Sequence, residues 1–245
     1  MGVVAHDFAG QRVLVTGGTR GLGLATAQAF VDAGALVTVT GTKVLPGLYD
    51  ADLSRFDYHQ LQLARRESID YFLSNLGAID ILVNAAGATL PHSSDPHERE
   101  FVAHSARIGL VGPTRLTTRL RFRLSESLAP GGGAVVNTSA VRSWLELTAT
   151  RAEAQAELVA ATKRFGESWS RHGARVNTVI DTAPLVVPQQ FRVQISHQSG
   201  PLLTRPAPVR LATHRDVAGV ALFLAGSSAA YITGQTIVVN GSVRG

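Results

Sequence analysis

Thr16-Gly17-Gly18-Thr19-Arg20-Gly21-Leu22-Gly23 is the stretch that decides the fold. It follows the apolar run Arg12-Val13-Leu14-Val15 and leads straight into Leu24-Ala25-Thr26-Ala27-Gln28-Ala29-Phe30. The local order is therefore strand, glycine-rich turn, helix. Glycines at these points allow a tight turn and a close approach of backbone to ligand, so that a helix N-terminus can face a pyrophosphate. A glycine triad alone is weak evidence; one bracketed by a buried strand and an amphipathic helix is a specific sign of a dinucleotide fold.

Outward from this turn, strand-like and helix-like segments alternate, which predicts a doubly wound α/β fold with a parallel sheet covered on both faces. The expected strands are 12–15, 35–40, 58–63, 79–83, 134–137, 175–180 and 236–239. Helices are expected from Leu24, over Glu67–Leu76, Glu98–Leu128 with a break near Gly112-Pro113, Thr150–Arg171 and Arg215–Leu224. The link from Gly41 to Arg55 contains Pro46-Gly47 and has too little helical pattern for a crossover helix. Residues 181–212 hold five of the ten prolines and little periodicity, which reads as a substrate loop or lid. No repeat or linker divides the chain, so residues 1–245 are read as one domain of seven strands.

Composition narrows the function classes. The chain has no cysteine, which excludes disulfides and thiolate metal sites, and His92, His97 and His104 lack ligand spacing, so no metal is expected. No apolar run approaches the ~18 residues of a spanning helix and the N-terminus lacks a signal-peptide pattern, so a soluble, cytoplasmic protein without membrane contact is expected. The net charge is +5 and the densest basic group is Arg115, Arg119, Arg121 and Arg123. With Leu116, Leu120 and Leu124 between them, these arginines read as a solvated or subunit-facing helix side, and no nucleic-acid partner is expected.

Three motifs in order now give the chain a family resemblance. Thr16 to Gly23 fits a Thr-Gly-x-x-x-Gly-x-Gly turn, Asn84-Ala85-Ala86-Gly87 fits an Asn-Asn-Ala-Gly element, and Asp216-Val217-Ala218 with Phe223-Leu224-Ala225 leads to Tyr231-Ile232-Thr233-Gly234-Gln235. Over nearly its whole length the chain resembles the short-chain dehydrogenase/reductase family. Asp7-Phe8-Ala9-Gly10 and the short link after the second strand are similar to its dihydroxybenzoate-forming dehydrogenases. The resemblance implies an oxidoreductase with a nicotinamide cofactor held by Gly17, Thr19, Arg20, Leu22, Gly23, Thr42, Lys43, Asn84, Ala85, Ala86 and Gly87. It also implies association through the long helices, as a homo-oligomer or with an active homologue.

The family's catalysis uses an Asn-Ser-Tyr-Lys tetrad, in which Tyr transfers the proton and Lys lowers its pKa. The four tyrosines, Tyr49, Tyr58, Tyr71 and Tyr231, are followed four places on by Leu53, Gln62, Asn75 and Gln235, so no Tyr-x-x-x-Lys exists in the chain. Placement on the family pattern puts Gly109, Ala140, Arg151 and Gln155 at the tetrad positions, and Asp181-Thr182 where Pro-Gly usually lines the nicotinamide. Arginine stays protonated at any workable pH and cannot shuttle a proton. Arg151 and Gln155 nonetheless share one helix face, and Arg151 there can clamp a carboxylate or phosphate or steady an oxyanion. Ser139 is a weaker candidate, since its side chain points opposite to that of Ala140.

At the adenine end, an acid about 20 residues after the glycines would hold the 2′-hydroxyl of NAD. Gly41-Thr42-Lys43 stands there instead, and Arg20 and Lys43 favour the 2′-phosphate of NADP. Gln62 replaces the family's frequent adenine-binding Asp. Three readings follow: an atypical NADP-dependent enzyme acting on a small anionic or phenolic metabolite, a non-catalytic subunit of an active homologue, and a non-redox isomerase or cyclase using the same cleft.

Overall fold

Successive residues of the central strands are apolar on both sides, as a sheet with helices over each face requires. In the computed structural model, which describes residues 7–87, 107–138, 150–181 and 212–239 (150–155 and 181 by backbone alone), these runs form seven strands. They are β1 (Arg12–Thr16), β2 (Leu36–Gly41), β3 (Asp57–Gln60), β4 (Ile81–Asn84), β5 (Gly133–Thr138), β6 (Ala174–Asp181) and β7 (Thr236–Val239). All pairings are parallel, in the order β3-β2-β1-β4-β5-β6-β7. The chain winds one way from β1 to β3 and the other way from β4 to β7. A crevice therefore opens at the carboxyl ends of β1 and β4, where such sheets bind ligands.

Strand alternation assigns the two cores. Val13, Val15, Val37, Val39, Ile81 and Val83 face α1 (Gly21–Asp32) and α5 (His214–Ala225), closing over Phe30, Val217 and Leu224. Leu14, Leu82, Val135 and Val176 face α2 (Arg66–Asn75), α3 (Gly112–Ser125) and α4 (Thr150–Trp169), with Phe72, Leu116, Leu120 and Trp169. Leu116, Leu120 and Leu124 are fully buried, one turn apart on α3.

Several expected boundaries move, each for a local reason. Helix α1 begins at Gly21, not Leu24, because Arg20 is extended and the turn ends within the glycines. Strand β3 stops at Gln60, short of Leu63: its last bond is Leu61 N–H to the Gly41 carbonyl (2.8 Å), where β2 ends, and the Gln62 N–H then turns to Ser68 Oγ (2.9 Å) at the start of α2. The break expected at Gly112-Pro113 is a π-helical turn, Arg107–Val111, that hands over to α3 with Pro113 in its first turn. Helix α3 ends at Ser125 rather than Leu128. Helix α4 gives way to a 3-10 turn over Ser170–His172.

Two of the four arginines of α3 bind the neighbouring helix α2. Arg119 pairs with Asp70 of α2 (2.5 Å), and Arg123 donates to the Leu76 (2.8 Å) and Leu73 (2.9 Å) carbonyls at the C-terminus of α2. A cation there meets the negative end of the helix and carbonyls that have no intrahelical partner.

Two further charges fasten sheet to helix. Arg175, 4 % exposed, donates to the carbonyls of Gly131 (3.0 Å), Leu224 (2.5 Å), Ala229 (3.1 Å), Ala225 (2.9 Å) and Gly226 (3.3 Å). Burial lowers its pKa from the usual arginine value, yet carbonyls at the C-terminus of α5 replace its lost hydration. Asp80 accepts from Arg12 N–H (2.8 Å), Arg12 Nε (3.1 Å) and Ser127 Oγ (2.8 Å). Burial by itself would raise its pKa, but the Arg12 side chain and amide and the Ser127 hydroxyl hold it below the ordinary carboxylate value.

Two stability predictions follow from these charges. Arg175→Met leaves several buried carbonyls without a donor and lowers stability by about 2–4 kcal/mol in urea unfolding. Because the folded pKa of Asp80 is depressed, its contribution is present above its unfolded pKa and is lost as pH falls through the folded one. Asp80→Asn is accordingly less stable than wild type at neutral pH by about 1–3 kcal/mol, and the gap narrows below about pH 4 in a denaturation series.

Candidate functional site

The glycine turn meets the rest of the sheet through backbone. A Cβ on Gly17 (φ +67°) would lie 2.6 Å from Ala86 Cα, and one on Gly23 would lie 2.2 Å from the Gly17 carbonyl oxygen. Thr16 Oγ1 accepts from the amides of Ala85 (3.2 Å) and Ala86 (3.4 Å), which ties the chain leaving β4 to the end of β1. The turn and the Asn84-Ala85-Ala86-Gly87 segment thus form one continuous ledge along the crevice.

Helix α1 starts on that ledge with no side-chain cap and no acidic residue in its first turn. The first amides of a helix have no intrahelical acceptor, so those of Gly21, Leu22 and Gly23 are available to an anion. Gly17 and Gly23 leave no room for a Cβ between the turn and the backbone it packs on, and this close-set turn at a helix N-terminus fits the pyrophosphate of a dinucleotide. Thr19 is buried beside it, and Arg20 is exposed at the N-cap. Thr42 and Lys43 follow the end of β2; the Thr42 carbonyl accepts from Gln60 Nε2 (2.9 Å), and Lys43 Nζ donates to the Leu48 carbonyl and lies 4.8 Å above the Tyr49 ring.

The other half of the crevice has a polar floor. Asn84 Nδ2 donates to Thr117 Oγ1 and to Asn137 Oδ1, both at 2.9 Å; Asn137 Nδ2 reaches Thr162 Oγ1 (3.4 Å), which lies 2.6 Å from Thr178 Oγ1. Thr138 Oγ1 donates to the Asn84 carbonyl (3.1 Å). Asn84 Oδ1 is buried and has no partner among the described residues. A cavity of about 20 Å³, bounded by Asn84, Gly109, Thr117, Asn137 and Thr138, has room for one water-sized group above this floor.

Gly109 is thus brought to the cavity, within the π-helical turn. Arg151 and Gln155 stand on the first turns of α4, described there by backbone alone. Ser139, Ala140, the three histidines of 92–104 and residues 182–211 of the expected lid lie outside the described residues; Asp181 closes β6. Among the described residues no cluster of side chains could hold a metal ion, and no helix is long and apolar enough to cross a membrane. Thr117, Thr162 and Tyr49 were not expected near the crevice. The threonines carry no motif, and only the fold brings them beside Asn84 and Asn137. Tyr49 had one signal, a Pro-Gly turn short enough to return the chain to β2.

Comparison with known proteins follows the same outline. Residues 17–243 match the family model described as Enoyl-(Acyl carrier protein) reductase. The chain is 31% identical to the 3-oxoacyl-(acyl-carrier-protein) reductase of Vibrio harveyi, covering 97% of this chain and 98% of the relative. It is 27% identical to the NAD-dependent glycerol dehydrogenase of Listeria innocua, covering 93% and 91%. A solved structure described as a short chain dehydrogenase/reductase family protein superposes with a TM-score of 0.73 at 26% identity, over 95% of this chain and 97% of that one. The chain belongs to the short-chain dehydrogenase/reductase family, oxidoreductases that bind a nicotinamide cofactor.

Proposed function

We propose that this protein binds NADP(H) on the ledge of Gly17, Thr19, Arg20, Leu22, Gly23 and Asn84 to Gly87, with Thr42 and Lys43 at the 2′-phosphate. It acts on a small anionic or phenolic metabolite through a constellation around Arg151 that dispenses with the Tyr–Lys pair. The observation that carries this reading is a contrast within one crevice. The backbone cradle for pyrophosphate is complete, whereas no tyrosine lies on α4, where the family carries its proton donor. Tyr49 and Tyr58 are engaged with Lys43 at the end of β2, and Tyr71 and Tyr231 are exposed.

A bound nicotinamide cofactor supplies hydride chemistry. The chain's own part is to hold the dinucleotide by amides and present charge to the substrate. Arg151 offers a planar, permanently charged fork that suits a carboxylate or phenolate, and such a donor steadies negative charge without moving a proton. A substrate with an acidic hydroxyl supplies its own proton, which the missing tyrosine would otherwise give. Neutral ketones have no such group. For them the loss of the general acid costs about 3–5 kcal/mol of barrier, from a contribution of about 10² to 10⁴ in rate.

Three measurements test the reading. Calorimetry is expected to show NADPH binding tighter than NADH; tighter NADH, or no binding of either, overturns the cofactor assignment. Purified protein is expected to reduce simple ketones with NADPH at no more than background, and rapid turnover with an essential acid in its pH profile refutes the altered mechanism. Arg151→Ala, assayed on the native pathway, should abolish activity while NADPH binding persists. Full pathway function in that variant would move the protein to the role of a non-catalytic partner subunit.

A further inference from the structure

The place where a dinucleotide fold keeps its ribose-reading acid, the carboxyl end of the second strand, is held here by Gly41. The space above that glycine is filled. A Cβ built on Gly41 would lie 2.3 Å from the Tyr49 hydroxyl oxygen and 2.8 Å from the Thr19 Cγ2. Val37 and Val39, which alternate with the residues between, point to the α1 side of the sheet, and Gly41 continues that face. The phenol head therefore sits on the same side as the glycine turn, between Thr19 and the end of β2. This is where the first carbon of an acidic side chain would be.

The tyrosine is delivered there by a fastened loop. Residues Pro46–Leu48 form one 3-10 turn, and Lys43 Nζ closes the loop on the Leu48 carbonyl. The Lys43 amide donates to Tyr49 Oη (2.9 Å), and Tyr58 Oη donates to the Lys43 carbonyl. The two phenol oxygens lie 3.4 Å apart, with ring centroids at 5.8 Å. The backbone of Gly41 and Thr42 is held as well, through Leu61 N–H (2.8 Å) and Gln60 Nε2 (2.9 Å). Burial by itself would raise the pKa of Tyr49, yet its hydrogen bonding with Tyr58, Lys43 and Thr42 holds it below the ordinary phenol value. Tyr58 is already committed as donor to Lys43, so Tyr49 Oη is the polar head left facing Gly41 and Thr19.

We propose that Tyr49 is the ribose-reading residue of this protein, its hydroxyl standing above Gly41 in place of the missing acid and contacting the 2′-substituent of the adenosine ribose. A phenol is neutral, so it accepts a 2′-phosphate beside Lys43 where a carboxylate would repel it. The inference rests on the cofactor reading above and deepens it. It names the group that sets the preference and explains why Gly41 carries no side chain.

The test is calorimetry with NADPH, NADH and 2′,5′-ADP on wild type, Tyr49→Phe and Tyr58→Phe, with thermal unfolding of each. Tyr49→Phe keeps the ring and removes only the hydroxyl. It is expected to weaken NADPH and 2′,5′-ADP by about tenfold, a hydrogen bond to a charged acceptor, and NADH by less. Tyr58→Phe loosens the Lys43 clamp without touching the space above Gly41, and its effect on 2′,5′-ADP is expected to be smaller. Equal losses in both variants, or an equal loss of NADPH and NADH in Tyr49→Phe, would reduce Tyr49 to a loop fastener and overturn the proposal. Unchanged binding in Tyr49→Phe overturns it too, with the NADP(H) reading intact. If wild type binds none of the three nucleotides, the cofactor reading itself has failed and takes this one with it. Should Tyr49→Phe melt well below wild type, comparison at a temperature where both are folded decides by the same ratio.

Discussion

The structure depends on a contact made without side chains, the seating of Gly17 against the backbone of Ala86. The end of β1 and the exit of β4 come within van der Waals distance there, and Thr16 Oγ1 bonds both amides of the exit. Because β1 and β4 are neighbours at the point where the winding reverses, this contact sets the width of the crevice. It also aims α1, whose third residue, Gly23, folds back onto the Gly17 carbonyl. A single added methyl at either glycine would have to displace backbone, which cannot yield as a flexible side chain can. The cradle is thus held rigidly by the two cores beneath it.

The two ends of the crevice differ in chemistry. Around the turn, amides, a helix N-terminus and Lys43 make a neutral-to-positive surface suited to phosphates. Toward α4 the floor is a network of amides and hydroxyls, Asn84, Thr117, Asn137, Thr162 and Thr178. These groups are neutral, and none can lower a neighbour's pKa as an ammonium would. Their role is to hold the ends of β4, β5 and β6 in register with α3 and α4. The hydrogen bonds of this floor close largely on themselves, and Asn84 Oδ1 is its buried oxygen without a partner among the described residues.

Local chemistry explains where single elements start and stop. Strand β3 ends when β2 offers no further partner, and Ser68 then takes the next amide. The π-helical turn before α3 leads into Gly112, where a Cβ would meet the Leu63 carbonyl at 2.4 Å. The chain can pass that point only without a side chain, which a count of helical periods does not reveal. Helix propensity and periodicity are one-dimensional signals, and boundaries are set by whichever backbone group runs out of partners first.

The amino-acid sequence by itself determined the parallel, doubly wound sheet, the pyrophosphate turn and the absence of a Tyr-x-x-x-Lys pair. These follow from alternation, from glycines between a strand and a helix, and from counting, all of which are local along the chain. The tertiary structure decided what lies across from what. It carried Arg123 to the end of α2, Arg175 to the end of α5, and Tyr49 onto Gly41. Tyr49 lies eight residues beyond Gly41 in a segment without periodicity, so no spacing rule connects the two. Their contact exists because Lys43, Gln60 and Tyr58 fold the loop back over the edge of β2, and hydrogen bonds between residues distant in sequence leave no pattern in it.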